Sequence, residues 1–212
     1  MNLQTLFDTQ KILRDRIGYN EPDRFNKLIL ALLVELGECA NEWRGFKFWS
    51  KDQEPVREAE EICWKCEGRG GYLHWNIEPG FHREVKCKVC DGKGKLFYKP
   101  LLEEYVDGLH FVLEIGLELD KELFVSELPE YMTNLSFRTS NTITNQYLCL
   151  CEEAMGIYRG KLRNGEFLTK PYRNLVAAYL GLGEMLGFTE EQIEQAYFAK
   201  NQINHERQEQ GY

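Results

Sequence analysis

Four acidic residues with helical spacing stand within apolar stretches of the chain. Glu35 and Glu38 are three positions apart, and Glu104 and Asp107 repeat that spacing in a second apolar segment. Residues at i and i+3 share one helix face, and burying like charges without a counter-ion is costly. On facing helices the four carboxylates would form an oxygen-only site, which suits Mg²⁺ or Mn²⁺ better than zinc. Two or more such ions can activate a water molecule and hold phosphate oxygens. The alternative is a pair of solvated helix faces.

A polar stripe near the C-terminus could bind the phosphates of such a substrate. Lys200, Asn204 and Arg207 follow one another at i, i+4 and i+7, and Asn201 lies beside them. An ammonium group, two amides and a guanidinium group can hold the oxygens of a polyphosphate chain. The alternative interpretation is the solvated end of an amphipathic helix.

Four of the seven cysteines form two C-x-x-C pairs, Cys63 with Cys66 and Cys87 with Cys90. Four thiolates at this spacing predict a closed tetrahedral shell around a structural, non-catalytic Zn²⁺. A redox dithiol and an iron–sulfur cluster are the alternatives, but a redox pair would normally open a helix in a βαβ unit. The repeated C-x-x-C-x-G-x-G pattern resembles the zinc-binding repeats of J-domain co-chaperones, and more loosely zinc ribbons.

The segment around these cysteines is locally basic, with seven Lys or Arg and four Asp or Glu in residues 63–97. Zinc ribbons often contact nucleic acids, so a nucleic-acid contact through this module is one interpretation. A metal-stapled hairpin that shapes a lid or a subunit contact is the other.

The pattern of apolar residues and helix signals predicts an all-α fold: a helical bundle of about six helices with a small inserted zinc-ribbon-like β module. The helices are expected at about residues 2–17, 22–44, 100–119, 140–159, 171–187 and 189–208. Short strand-like pieces, GGYLHW and KLFY, lie in the module, and residues 120–138 are expected to be loop-like. The predicted domains are 1–62 with 98–212, and the insertion 63–97.

The overall composition excludes some classes of function. The chain has 212 residues, 34 acidic and 26 basic, with a net charge of −8. That balance disfavours a protein that mainly coats a phosphate backbone, and suits one that collects cations. The absence of a membrane-length apolar run indicates no membrane partner. An odd cysteine count without a signal-peptide pattern predicts a cytoplasmic location.

Three segments together resemble a known family: VELGECANEWRGFKFWSK, LLEEYVDGLHFVLEIG and YFAKNQINHERQEQGY. They are similar to the dimeric dUTP diphosphatases of the all-α NTP pyrophosphatase superfamily. The resemblance covers most of the chain outside the cysteine module. It implies a homodimer that cleaves dUTP and dUDP with Mg²⁺ and releases dUMP, which keeps uracil out of DNA.

The resemblance also implies roles for individual residues. The metal ligands would be Glu35, Glu38, Glu104 and Asp107. Gln10 would read uracil, although Leu13 stands where some relatives have an asparagine that completes base recognition. The aromatic-basic segment Lys47, Phe48 and Trp49 would cover the base and nearby phosphates. The phosphate-binding residues would be Lys200, Asn201, Asn204, Arg207 and Tyr212.

The expected mechanism joins these parts. Water activated by the metal ions attacks a phosphorus, Glu38 accepts the proton, and Lys200 and Arg207 neutralise the departing phosphate. His110, one turn beyond Asp107, is expected to be a packed helix-face histidine. Two rival functions remain open: an all-α pyrophosphatase for another nucleotide such as dCTP, and a zinc-ribbon interaction or nucleic-acid-binding protein without catalysis.

Overall fold

The computed structural model describes residues 1–75, 82–119, 132, 135–163 and 168–211. The chain divides into two compact units. Met1–Pro55 and Leu101–Tyr212 form one unit, and Val56–Pro100 forms the other. The larger one is here called the helical unit, and the smaller one the cysteine unit.

The helical unit confirms the prediction of an all-α bundle, because the described residues contain six α-helices. They are α1 (Leu3–Ile17), α2 (Arg24–Trp43), α3 (Pro100–Leu119), α4 (Ile143–Arg163), α5 (Thr169–Met185) and α6 (Glu190–Glu209). Helix α4 packs against α2 and α5, and α1 packs against α6. None of the described helices combines the length and the apolar character that a membrane span requires.

Several helix ends differ from the sequence prediction by a few residues, and two of them have a local explanation. Helix α4 continues past Gly160 to Arg163, because a single glycine is tolerated within a helix. The Leu168 side chain lies where a Cβ at Gly160 would stand. Helix α5 begins before Pro171, which is allowed because the first turn of a helix needs no intrahelical N–H donor. Most of the segment 120–138 lies outside the described residues.

Helix ends nearest the functional residues are capped by local sequence. The Asn2 side chain accepts from the Thr5 backbone N–H at the start of α1, and Gly18 closes that helix in the left-handed conformation at φ 64°. Thr189 and Gln192 form the capping box that the sequence predicts at the start of α6. These caps fix where α1 and α6 begin or end, and both helices carry candidate site residues.

Helix α3 is central to the core, with Leu101, Tyr105, Val112 and Leu113 all fully buried. It approaches α5 closely at Gly108, where an added Cβ would lie 2.2 Å from the Tyr179 hydroxyl. That hydroxyl donates a 2.6 Å hydrogen bond to the Tyr105 carbonyl. The close contact holds the stretch of α3 that follows Asp107 against the core.

The cysteine unit is built from two antiparallel pairs of strands. Strand β1 (Ala59–Ile62) pairs with β4 (Lys95–Tyr98), and β2 (Gly71–Trp75) pairs with β3 (His82–Lys86). The pieces GGYLHW and KLFY thus supply β2 and β4, as expected, whereas β1 and β3 carry no alternating apolar pattern that would have shown them. Each cysteine pair lies beside the end of a strand.

Candidate functional site

Three carboxylates from two helices meet in the helical unit. Glu35 lies on α2, and Glu104 and Asp107 lie one turn apart on α3. Their ligand oxygens all lie within 4.8 Å of one another. This carboxylate cluster brings together three of the four residues that the sequence predicts as a metal site.

The carboxylate cluster is short of positive charge. Burial, followed by the charges of neighbouring carboxylates, raises the pKa of Glu35 and of Glu104 to about 7. Burial also raises the pKa of Asp107, against the opposing effects of Lys200 and of the more weakly acting Arg207. The Lys200 Nζ donates a 2.5 Å hydrogen bond to Asp107 Oδ2. Because one ammonium group faces several carboxylates, the oxygen-only donor set fits a hard divalent cation such as Mg²⁺.

Glu38 stands beside the cluster, at an open cavity of about 530 Å³ here called the acidic cavity. Its negative charge contributes to the raised pKa values of Glu35 and Glu104. The acidic cavity is lined by Val34, Gly37, Glu38, Asn41, Glu42, Phe46 and Glu104. Glu38 is therefore placed at the solvent side of the cluster, where it can meet a substrate or a water molecule.

The aromatic-basic segment follows α2 and begins at the acidic cavity with Phe46. The Phe48 and Trp49 side chains are 86% and 66% exposed, and their rings meet edge to face with centroids 5.0 Å apart. The Lys47 Nζ donates to the Asn41 carbonyl at 3.2 Å. Phe46 lines the acidic cavity, and its ring lies 5.7 Å from that of Trp49 between centroids. The two exposed rings next to Phe46 are available to cover a bound ligand.

The polar stripe on α6 runs from the carboxylate cluster to a second cavity. Lys200 contacts Asp107, and Asn204 and Arg207 line the second cavity. Asn201 is buried, and its Nδ2 has no hydrogen-bond partner among the described residues. Tyr212, which the family resemblance adds to the phosphate-binding residues, lies outside the described residues.

The second cavity, here called the inner cavity, has a volume of about 410 Å³. Small-molecule sites typically occupy about 300–1,000 Å³. Its lining is Gln10, Leu13, Ile17, Tyr19, Arg24, Lys27, Leu28, His110, Phe111, Glu114, Asn204, Arg207 and Gln208. From Asp107 to Glu114 helix α3 rises about 10 Å, so the carboxylate cluster and this part of the cavity wall are about 10 Å apart along the helix.

Gln10 is buried in the wall of the inner cavity, and both ends of its amide are hydrogen-bonded. Its Nε2 donates to Glu114 Oε2 at 3.0 Å. Its Oε1 lies 2.8 Å from His110 Nδ1 and accepts from the Tyr197 hydroxyl at 2.9 Å. His110 stacks on Tyr197 with ring centroids 4.3 Å apart, and burial lowers the pKa of His110 to about 3. His110 is thus a neutral, packed histidine that also lines the cavity.

A buried ion-pair network beneath this cavity was missed at the level of sequence. Glu114 pairs with Arg24 and with Arg14, and Glu118 pairs with the same two arginines. Glu114 and Glu118 follow Asp107 along α3 within an apolar run. That placement was the available signal, because it repeats the feature that marked Glu104 and Asp107.

The four cysteines of the second unit form a separate cluster. The Sγ atoms of Cys63 and Cys87 are 3.8 Å apart, and those of Cys66 and Cys90 are 3.6 Å apart. Zinc–sulfur bonds of about 2.3 Å in a tetrahedron place sulfurs about 3.8 Å from one another. The donor set and its spacing therefore fit a closed zinc shell.

Groups outside the shell hydrogen-bond to these sulfurs. The backbone N–H of Gly70 donates to Cys66 Sγ at 3.3 Å, and that of Gly94 donates to Cys90 Sγ at 3.2 Å. The Tyr72 hydroxyl donates to Cys87 Sγ at 3.0 Å. Such donors stabilise negative charge on metal-binding thiolates and fix their orientation.

Comparison with known families decides the assignment of the helical unit. The family model described as dUTPase matches residues 2–62 and 92–212. The chain belongs to the dUTPase family. The carboxylate cluster, the inner cavity and the α6 stripe of this dUTPase-family protein all lie within the matched residues, whereas all four cysteines lie in the unmatched residues 63–91. No curated protein matches the chain.

Proposed function

We propose that this dUTPase-family protein hydrolyses dUTP, and also dUDP, to dUMP with the help of Mg²⁺. The observation that supports this most directly is the placement of the carboxylate cluster and the inner cavity along the same two helices, α2 and α3. A nucleoside in the inner cavity would direct its phosphates toward the carboxylates.

Magnesium would be held by Glu35, Glu104 and Asp107, with Glu38 completing the set from the acidic cavity. Two or more ions per site, or Mn²⁺ in their place, suit the number of carboxylate oxygens. When bound, the ions would supply positive charge for phosphate oxygens and make a nearby water molecule more acidic. The raised pKa values of Glu35 and Glu104 support this proposal, because a cation relieves the repulsion that causes part of the shift.

Individual residues of the protein have separate proposed roles in the hydrolysis. Glu38 accepts a proton from the attacking water, since it lies at the open side of the cluster. Lys200, which hydrogen-bonds to Asp107 in this structure, would contact the phosphate oxygens, and Arg207 would neutralise the departing phosphate. Asn201 and Asn204 would hold further oxygens, and Tyr212, which lies outside the described residues, is a further candidate for phosphate binding.

The base is proposed to enter the inner cavity. Gln10 contacts uracil from α1, and His110 and Tyr197 hold the Gln10 side chain in place. Phe48 and Trp49, which are exposed, cover the bound nucleotide together with Lys47. Because water is then excluded, the charges around the phosphates interact more strongly.

Release of pyrophosphate from dUTP, dCTP, dTTP and UTP, and of phosphate from dUDP, with Mg²⁺ and after chelation, tests the proposal. Selective Mg²⁺-dependent turnover of dUTP and dUDP is the expected result. Preference for dCTP would be consistent with the proposed metal site, but it would contradict the proposed recognition of uracil. If folded protein turned over none of these nucleotides, the interaction-module alternative would replace the enzymatic one.

We also propose that the cysteine unit holds one structural Zn²⁺ through Cys63, Cys66, Cys87 and Cys90. The sulfur spacing and the surrounding N–H and O–H donors support it. Elemental analysis of the purified protein should give one zinc per chain that survives gel filtration. Iron with visible absorbance, or no metal with full structure retained, would contradict the proposal.

A homodimer is proposed for the helical unit. Leu30 and Val34 on α2 and Leu148 on α4 are exposed apolar side chains, at 63%, 48% and 63%. A second copy that covers this face would remove them from water. Sedimentation equilibrium should give twice the monomer mass, and Leu30→Glu should shift the protein to monomer.

A further inference from the structure

We infer that Glu114 is a positioning residue that fixes the amide of Gln10 as a hydrogen-bond donor and thereby favours the C4 carbonyl of uracil over the C4 amino group of cytosine. The inference rests on the proposed function, because it concerns how the inner cavity would read a base. It adds a residue from α3 that does not itself need to touch the base.

The orientation of the Gln10 amide follows from the chemistry of its neighbours. An ionised carboxylate has no hydrogen to donate, so the Gln10 atom that lies 3.0 Å from Glu114 Oε2 is the nitrogen. The amide oxygen must then face the opposite side, where it meets His110 Nδ1 and the Tyr197 hydroxyl. Glu114 thus determines which end of the amide faces which neighbour.

The remaining hydrogen-bonding capacity of Gln10 is a single N–H. An amide oxygen accepts two hydrogen bonds. The His110 tautomer with its hydrogen on Nδ1 fills one position, and the Tyr197 hydroxyl, which lies closer to Gln10 Oε1 (2.9 Å) than to the Leu6 carbonyl (3.3 Å), fills the other. The amide nitrogen carries two hydrogens, one of which is directed to Glu114. Since Gln10 lines the inner cavity, a ligand there meets a donor and no free acceptor from this side chain.

Pyrimidines differ at the position where such a donor matters. The C4 substituent is a carbonyl acceptor in uracil and thymine, and an amino donor in cytosine. A buried site that is built to hydrogen-bond one of them discriminates strongly against the other, because a mismatched polar group is left without a partner. The donor state of Gln10 therefore selects against dCTP.

Glu114 is itself held rigidly. Its side chain is 6% exposed, and its Oε1 pairs with Arg24 Nη2 and lies 3.5 Å from Arg14 Nη1. These contacts engage one carboxylate oxygen and leave Oε2 for Gln10. A carboxylate anchored in this way cannot easily turn away from the amide.

The test compares Glu114→Gln with the matched variant Glu118→Gln. Both substitutions remove one negative charge that pairs with Arg14 and Arg24. A glutamine at 114 can donate to Gln10 Oε1, which allows the Gln10 amide to turn over and to present an acceptor. Glu114→Gln should lower the ratio of kcat/KM for dUTP over dCTP by at least about tenfold, whereas Glu118→Gln should leave that ratio within about twofold.

A double variant separates positioning from a general structural role. Gln10→Met should itself lower the dUTP preference, and adding Glu114→Gln to it should change the ratio no further, because Glu114 acts through Gln10. An unchanged ratio in Glu114→Gln, or a further change in the double variant, overturns the inference. If Glu114→Gln does not fold, an unchanged dUTP preference in Gln10→Met overturns it. Failure of the wild type to hydrolyse dUTP would instead refute the proposed function.

Discussion

The helical unit and the cysteine unit both gather ligand atoms, but they leave those atoms in different states. In the helical unit Glu35 and Glu104 have raised pKa values, and the Nδ2 of buried Asn201 has no partner among the described residues. In the cysteine unit the sulfurs receive hydrogen bonds from Gly70, Gly94 and the Tyr72 hydroxyl. The helical unit thus has polar groups available for a ligand, whereas the sulfurs of the cysteine unit already accept hydrogen bonds from groups of the same unit.

Backbone hydrogen bonds within the cysteine unit also connect its two cysteine repeats. The N–H of Cys63 donates to the Gly94 carbonyl and the N–H of Cys87 donates to the Gly70 carbonyl, both at 2.9 Å. Each C-x-x-C-x-G-x-G repeat therefore donates a backbone hydrogen bond to the other repeat. These contacts support the proposed structural role of the four cysteines, and the raised pKa values of Glu35 and Glu104 support the proposed binding role of the carboxylate cluster.

The largest effect is expected from breaking the closed site. Cys66→Ser removes one of four zinc ligands, and structural zinc contributes about 10 kcal/mol or more to the folding of a small domain. We expect zinc content to fall from one per chain to near zero and the strands of residues 56–100 to lose protection from hydrogen exchange. Helices α1 to α6 should keep their protection, with Cys149→Ser as the matched control. Loss of protection in the helices as well would mean that the two regions do not fold independently.

The next effect is expected at the open site. Asp107→Asn removes a carboxylate from the cluster and a partner of Lys200. Hydrolysis of dUTP should fall about 10²- to 10³-fold, because metal binding and charge stabilisation weaken together. Steady-state kinetics across a Mg²⁺ titration measures this, with the neighbouring Glu103→Gln as control. Activity within tenfold of the wild type would show that Asp107 is not part of the catalytic site.

The sequence was most informative where spacing alone carries the chemistry. Helical spacing was enough to identify the carboxylates Glu35, Glu104 and Asp107, and C-x-x-C spacing was enough to identify the four cysteines. The structure brings each of these two sets together. Glu114 was harder to interpret, because its proposed role depends on contacts with residues far away in the sequence. Gln10 lies 104 positions from it and Arg24 lies 90 positions from it. Contacts between distant segments are decided by packing, which a local pattern does not record.

A smaller effect concerns stability and pH. The pKa values of Glu35 and Glu104 are raised from 4.5 to about 7 in the folded chain, so the folded state holds more protons than the unfolded state between these values. Stability of the metal-free protein should therefore fall as the pH rises from about 5 to 8. Both groups are partly exposed, so solvent screening reduces the effect of each to about 1 kcal/mol.

Thermal unfolding with and without Mg²⁺ measures this dependence. Glu35→Gln should raise the Tm of the metal-free protein at pH 8 by about 2–4 °C and leave it unchanged at pH 5, while Mg²⁺ should stabilise the wild type more than the variant. If Glu35→Gln changed the Tm equally at pH 5 and pH 8, the cause would be a change in packing and not the removal of a repelled negative charge.

The smallest expected effect compares glycines of the two units. Gly156 lies inside α4, and a Cβ added there would have nothing within 4 Å. Gly156→Ala should therefore stabilise the helical unit by about 0.5–1 kcal/mol, because alanine loses less backbone entropy in a helix. In the cysteine unit, Gly70 has a φ of 74° and an added Cβ would lie 2.5 Å from the Gly92 carbonyl oxygen, so Gly70→Ala should weaken zinc retention. Denaturant unfolding and a competitive zinc chelator measure the two changes. Opposite signs are expected because one glycine is a replaceable helix residue and the other allows the two cysteine repeats to meet.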